Sequence, residues 1–195
     1  YALTTGNTMR RILLTSIPGA AITSVKIDGV QHEFSSIKGV VEDVSEIIQN
    51  LKKVRFKLND YGPELIDFEV EGPCELKAKE INNHITQFEV LNEDLVIANI
   101  TDKVKMKIEL RIARGKGYVG SEKNKRTDDV IGVIPIDSIF NPVTNVSWKV
   151  EPIATSTEEQ ERLIMEVESD GSTSPKDAIN HSASVARQHL AFFMF

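Results

Sequence analysis

The chain has 195 residues, 41% of them hydrophobic and 27% charged, with a formal net charge of -6. That length carries one large domain or two small ones, and the acidic balance argues against wholesale nucleic-acid binding while leaving room for a local basic patch. Cys74 is the single cysteine and cannot form an internal disulfide, so a reducing cytoplasmic setting is expected. No run reaches membrane-span length, and no signal-peptide layout is present.

The first element is Gly6-Asn7-Thr8-Met9-Arg10-Arg11-Ile12-Leu13-Leu14, followed by Ser16-Ile17-Pro18-Gly19. Met9, Leu13 and Ile17 recur at helical spacing, and Ile12 and Leu14 widen the stripe. The helix is expected to end at Pro18-Gly19. Neighbouring helical residues point about 100° apart, so at least one of Arg10 and Arg11 lies beside apolar surface. Two readings stay open there: stems snorkelling along the core, or guanidiniums kept for pairing at an interface.

Ala21 to Ile27 reads as a strand that runs into an Asp28-Gly29 turn. Val40, Val44, Ile47, Ile48 and Leu51 form a second helical stripe, with Glu42, Asp43 and Glu46 at its start and Lys52-Lys53 at its end, as the helix dipole favours. From Lys53 to about Ala113 the pattern is consecutive antiparallel strands. The clearest is Val104 to Ile112, in which five apolar residues alternate with four charged ones. Arg114 to Asp129 reads as a long polar loop, and Val130 to Phe140 as an apolar strand segment broken by Pro135. Val146, Trp148 and Val150, then Leu163, Met165 and Val167, alternate with polar residues as two further strands.

Ser174-Pro175-Lys176-Asp177 is a helix start. Ile179, Ala183, Ala186, Leu190 and Phe193 then repeat at four-three spacing, a seam suited to packing on another helix. The ending Leu190-Ala191-Phe192-Phe193-Met194-Phe195 is apolar on every side. Such a helix needs its own sheet on one face and something else on the other, most simply a second copy of the chain.

Sites for chemistry are sparse. His32, His84, His181 and His189 are scattered and, with one Cys, offer no zinc spacing. Arg114-Gly115-Lys116-Gly117 lacks the phosphate-loop pattern and reads as a bent strand end with a bulge. Asp128-Asp129 has no third carboxylate to make a magnesium site. No metal or other cofactor is expected.

Three motifs then align in order. They are Gly-Asn-x-x-Arg-Arg-x-Leu-Leu-x-Ser-x-Pro-Gly (Gly6 to Gly19), Ile27-Asp28-Gly29-Val30-x-His32-Glu33-Phe34 with Gly39-Val40-x-Glu42-Asp43, and Arg114-Gly115-Lys116-Gly117-Tyr118 with Ile131-Gly132-x-x-Pro135-Ile136-Asp137-x-x-Phe140-x-Pro142-Val143. Together they resemble the N-terminal domain of the bacterial-type RNA polymerase alpha subunit. The resemblance implies an α+β fold: a split α/β dimerisation domain, residues 1–18 and 143–195, with an inserted and mostly antiparallel β domain, residues 19–142. It implies a non-catalytic scaffold that homodimerises and nucleates assembly of the beta and beta-prime subunits, with DNA contact by this fragment unexpected.

By that resemblance Arg11, Leu14, Glu46 and Lys52 contact beta, and Ile136, Val143 and Arg162 correspond to the beta-prime face. Met9, Leu13, Ile179, Ala183, Ala186, Leu190, Phe192, Phe193 and Phe195 belong to the dimer interface. The family's further N-terminal strands are absent, as is its C-terminal DNA-binding domain, and the chain begins at Tyr1 rather than Met, so its natural start is expected to lie outside this sequence. The family's basic-Thr-Asp motif before the Leu163 strand is replaced by Ser156-Thr157-Glu158-Glu159-Gln160-Glu161-Arg162, which weakens the assignment of Arg162. Without the resemblance, the residues leave open an unrelated homodimeric binding module, or a small enzyme using residues 114–129 as a lid.

Overall fold

The computed structural model describes residues 1–57, 62–154 and 160–194. Helix α1 (Ala2–Thr15) stops two residues short of Ile17. The Ser16 N–H closes it on the Ile12 carbonyl at 2.8 Å, and Ile17, the third member of the expected stripe, is buried outside the helix. Pro18 and Gly19 are the first residues of strand β1 (Pro18–Ile27), not the helix terminator expected from their type. Proline is tolerated at a strand's first residue, where its missing donor costs no ladder bond.

Helix α2 (Val44–Leu51) is eight residues long and buries Val44, Ile47, Ile48 and Leu51, four of the five stripe residues. Val40 falls before it and bridges to Ile100. Asp43 is the N-cap: its carboxylate accepts the Glu46 N–H, and Glu46 returns the favour at the Asp43 N–H. The strands β2 (Phe56–Lys57), β3 (Glu64–Glu71) and β4 (Cys74–Lys77) follow. The one-turn helix α3 (Ala78–Asn82) has no signal in the apolar pattern. Next come β5 (Glu89–Val90), β6 (Val96–Ile100) and β7 (Lys105–Lys116).

β7 buries Met106, Ile108, Leu110 and Ile112 and leaves the charged residues between them on the wet face. It runs on to Lys116, so the segment expected to be loop from Arg114 is partly strand. The remainder folds into β8 (Tyr118–Val119) and the single turn α4 (Ser121–Asn124). No bulge lies at Gly115. The register shift falls in β1, between Ile22 and Ser24, opposite Ile112 and Arg111. The apolar segment after residue 130 yields two short strands, β9 (Val133–Pro135) and β10 (Ser138–Ile139). The main sheet has the order β3-β7-β1-β9, its pairs all antiparallel.

β11 (Val143–Pro152) and β12 (Glu161–Ser169) make a separate antiparallel ribbon, and α5 (Pro175–Ala191) closes the described chain. Ser174 caps α5 by accepting the Asp177 N–H, with Pro175 in the first turn. Its 17 residues give a rod of about 25 Å.

Two apolar clusters result. One gathers Val25, Ile27, Ile47, Leu51, Phe56, Ile108 and Leu110 with their neighbours around the main sheet and α2. The other unites the chain's two ends: Leu13 and Ile17 with Val143, Val146 and Ala178, flanked by Leu14, Met165, Val167 and Ile179. Gly6 explains itself in this second cluster. A Cβ there would stand 2.8 Å from the Trp148 ring and 3.1 Å from Leu163, so the glycine lets the indole rest on bare helix backbone.

The chain passes between the clusters at two places that touch. A Cβ on Gly19 would stand 1.7 Å from the Phe140 carbonyl oxygen. Backbone cannot yield as a flexible side chain does, so Gly19→Ala should lower stability by about 3 kcal/mol. Gly120→Ala, with only Asp137 Oδ1 nearby at 3.9 Å, should cost less than about 1 kcal/mol. Denaturant melts of the two variants beside the parent check both.

Candidate docking surface

The two arginines of α1 behave differently. Arg10 turns back over the ribbon, its Nε donating to the Val146 carbonyl at 3.3 Å. Arg11 is exposed, and its guanidinium makes no hydrogen bond or ion pair among the described residues. Leu14, one turn on, is half-buried against the second cluster.

The other residues assigned to docking already have intrachain work. Glu46 completes the α2 capping box. Lys52 Nζ donates to Asp137 Oδ2 at 3.2 Å, and the other oxygen of Asp137 accepts the Ser121 N–H at 2.8 Å. The Ser121 N–H and then Lys52 hold the Asp137 carboxyl below its ordinary range, against a smaller opposing effect of burial. Lys52 therefore helps pin α4 and β10 to the end of α2.

Ile136 and Val143 are buried, one in each cluster. A partner on that face would meet their backbone or their neighbours rather than their side chains. Arg162 is exposed, paired in register with Glu151 across the ribbon.

Among the residues assigned to the dimer interface, Leu13 lies wholly within its own chain's core. Met9 and Ile179 are half-buried between α1 and α5, where Ser182 Oγ approaches Met9 Sδ at 3.8 Å. The buried face of α5 is Ala178 and Ser182, not the apolar seam. Beyond Ile179 the seam is largely open: Ala186 is half-buried, and Ala183 and Leu190 are exposed. Leu190, Phe192, Phe193 and Met194 retain 64–81% of their accessible surface. The chain's own sheet does not cover this end, contrary to expectation, because the ribbon packs chiefly on α1 and α5 extends past it. Phe195 lies outside the described residues, as do residues 155–159 of the altered segment before β12.

Asp129 is engaged within the chain. Its carboxylate takes the Arg111 guanidinium at 3.0 Å and the Arg126 N–H at 2.8 Å, and the Arg126 contact is the main reason its pKa falls. Among the described residues no group of three His, Cys, Asp or Glu is placed to hold a metal ion, and no helix is long and apolar enough to cross a membrane. Residues 114–129, considered as a lid, are instead tied down: Asn124 Nδ2 donates to the Ile136 carbonyl and to Ser138 Oγ.

Sequence reasoning missed two residues with a clear structural task. Arg55 and Asp170 approach within 3.6 Å, joining the turn after α2 to the turn before α5. Neither lies in a motif, and nothing local announces a pairing between residues so far apart in the chain.

An α+β chain whose two ends build one core, with a second, β-rich core inserted between them, defines the class of protein. Residues 25–141 match the family described as the RNA polymerase Rpb3/RpoA insert domain, and the chain belongs to that family. It is 47% identical over 195 residues to the DNA-directed RNA polymerase subunit alpha of Salinibacter ruber, covering all of this chain and 60% of that one. Similarity to the proteins of the same name from Carboxydothermus hydrogenoformans (46% over 195 residues, 100% of this chain and 62% of that one) and Prosthecochloris aestuarii (47% over 194 residues, 99% and 59%) extends equally far. The chain thus spans about three fifths of the length of the curated relatives it matches.

A depressed carboxyl stabilises the fold above the pKa of the unfolded Asp, about 3.9, and that contribution is lost as pH falls through the folded value. Asp137→Asn should therefore be less stable than the parent at pH 6 and show a shallower loss of stability below about pH 4. Urea titrations across that range measure both slopes.

Proposed function

We propose that two copies of this chain pair through α1 and α5, and that the dimer is the platform on which the beta and beta-prime subunits of an RNA polymerase assemble. In this reading residues 1–18 and 143–195 form the dimerisation unit and residues 19–142 the insert. The two apolar clusters, one at each side of the Gly19 and Phe140 crossing, support that division. The names of the relatives support the identity of the complex.

The observation that carries the dimer is the uncovered end of α5. Four large side chains there would contribute together about 6–12 kcal/mol on burial. Association costs about 4–15 kcal/mol, so the tail alone does not secure a dimer. The rest of the seam is needed: Ala183 and Ala186 allow close helix approach, and exposed Leu3 lies on α1. Two-fold symmetry presents the same seam from both copies, so each apolar end gains a matching partner.

Arg11 is the residue we assign to the beta subunit, with Leu14 beside it. Its exposed and unpaired guanidinium supports the role. Glu46 and Lys52 would shape this surface chiefly by holding α2 and α4 in place, and Arg162 would stand on the beta-prime side. The subunit would work in the cytoplasm, where the single, half-buried Cys74 stays reduced.

Two variants separate the surfaces. Arg11→Ala should leave the dimer intact and abolish co-purification of the beta subunit; unchanged co-purification would refute the assignment. Phe192→Ser together with Phe193→Ser should raise the dimer dissociation constant at least about 100-fold, as loss of some 3 kcal/mol implies. Sedimentation over a concentration series measures it.

A further inference from the structure

Arg55 stands on a backbone that the insert holds from both sides. Its N–H donates to Asn92 Oδ1 at 2.8 Å, and its carbonyl accepts the Leu91 N–H at 2.9 Å. From that fixed base the guanidinium reaches two elements at once. Nη1 donates to the Lys52 carbonyl, at the C-terminal end of α2, at 3.1 Å. Nε faces Asp170 Oδ2 at 3.6 Å.

Asp170 is equally well anchored. Its N–H donates to the Pro142 carbonyl at 2.9 Å, beside the point where the chain leaves the insert. Its Oδ1 accepts the Ser172 N–H at 2.9 Å, which shapes the turn leading into α5. The side chains keep 31% and 13% of their exposure, so solvent screens the pair only partly.

The two chain crossings, at Gly19 and at Phe140 to Pro142, lie against each other. Adjacent crossings define a hinge line, about which two units can rock unless a third segment bridges them. Arg55 comes from a segment that is neither crossing. We propose that the Arg55–Asp170 pair is a positioning strap that fixes the angle between the insert and the dimerisation unit, and so sets how α2 is presented relative to the α5 seam.

This inference rests on the division into two units proposed above, but its test needs no other subunit. Spin labels would be placed through Lys79→Cys on α3 and Glu168→Cys on β12, both exposed, in a Cys74→Ser background. Labelled chains are mixed with an excess of unlabelled chain, so that only distances within one copy are read.

The parent should give one narrow distance distribution. Arg55→Gln and Asp170→Asn, the latter keeping the acceptor for Ser172, should each broaden it about twofold while helix content and thermal midpoint stay close to the parent's. Arg55→Lys, which keeps a cation for Asp170, should stay close to the parent's width, a result that loss of packing would not show. Raising sodium chloride to about 1 M, where the screening length is about 3 Å, should broaden the parent without any substitution, and this arm decides the matter if a variant fails to fold. Widths unchanged in both Arg55→Gln and Asp170→Asn, or in salt where the variants do not fold, would overturn the strap. Failure of Arg11→Ala to disturb beta-subunit binding would leave it standing.

Discussion

Everything in this chain hangs on the packing of α1 against the ribbon of β11 and β12. The first seventeen residues and the last fifty share one small core, so α1 has no stable place until the chain's far end has arrived. Gly6 makes the contact possible by letting Trp148 and Leu163 sit on bare backbone, and Leu13 and Ile17 drive it by burying fully. The larger core, around the main sheet and α2, is built from a continuous stretch. The two cores meet through close backbone at Gly19 and Phe140 and through the ion pair of Arg55 with Asp170.

Charge is used in two ways, and the contrast is informative. Lys52 with Asp137, Arg111 with Asp129, and Arg55 with Asp170 are half-buried pairs, each backed by a backbone N–H on the carboxylate. These are fixed joints between elements, because a carboxylate receiving both a cation and an amide has little freedom to turn away. Arg11 has no such partner among the described residues, and the end of α5 has no apolar cover. These pairs join elements within the chain, while α1 and α5 carry an unpaired Arg11 and an uncovered apolar end.

Patterns with a local cause were legible in the sequence. The alternation of Val104 to Ile112 named a half-buried strand, which begins at Lys105, and Ser174-Pro175 named a helix start, since each follows from nearest neighbours. Helix α2 was legible from its stripe, although the cap at Asp43 moved its start past Val40. What escaped depended on distant partners. Ile17 is buried at helical spacing from Leu13, yet the backbone leaves the helix at Thr15, so burial by itself does not mark a helix end. Residues 114–129 read as loop because their glycines and charges hide the fact that Asp137, Ser138 and Ile136 hold them from across the fold. The candidate docking residues divided along the same line: Arg11 stood out by its setting between apolar neighbours, but that Arg10 would bond the Val146 carbonyl, and that Ile136 and Val143 would be core residues, needed the fold.

The central claim is that the open C-terminal part of the α5 seam is complete only against another copy. Light scattering on the eluting peak of the unmodified chain tests this most directly, at concentrations from high to low micromolar. Twice the chain mass of 21.7 kDa, falling toward one chain on dilution, is the result this account expects. A single-chain mass throughout, with the amides of residues 183–194 protected from hydrogen exchange, would contradict it.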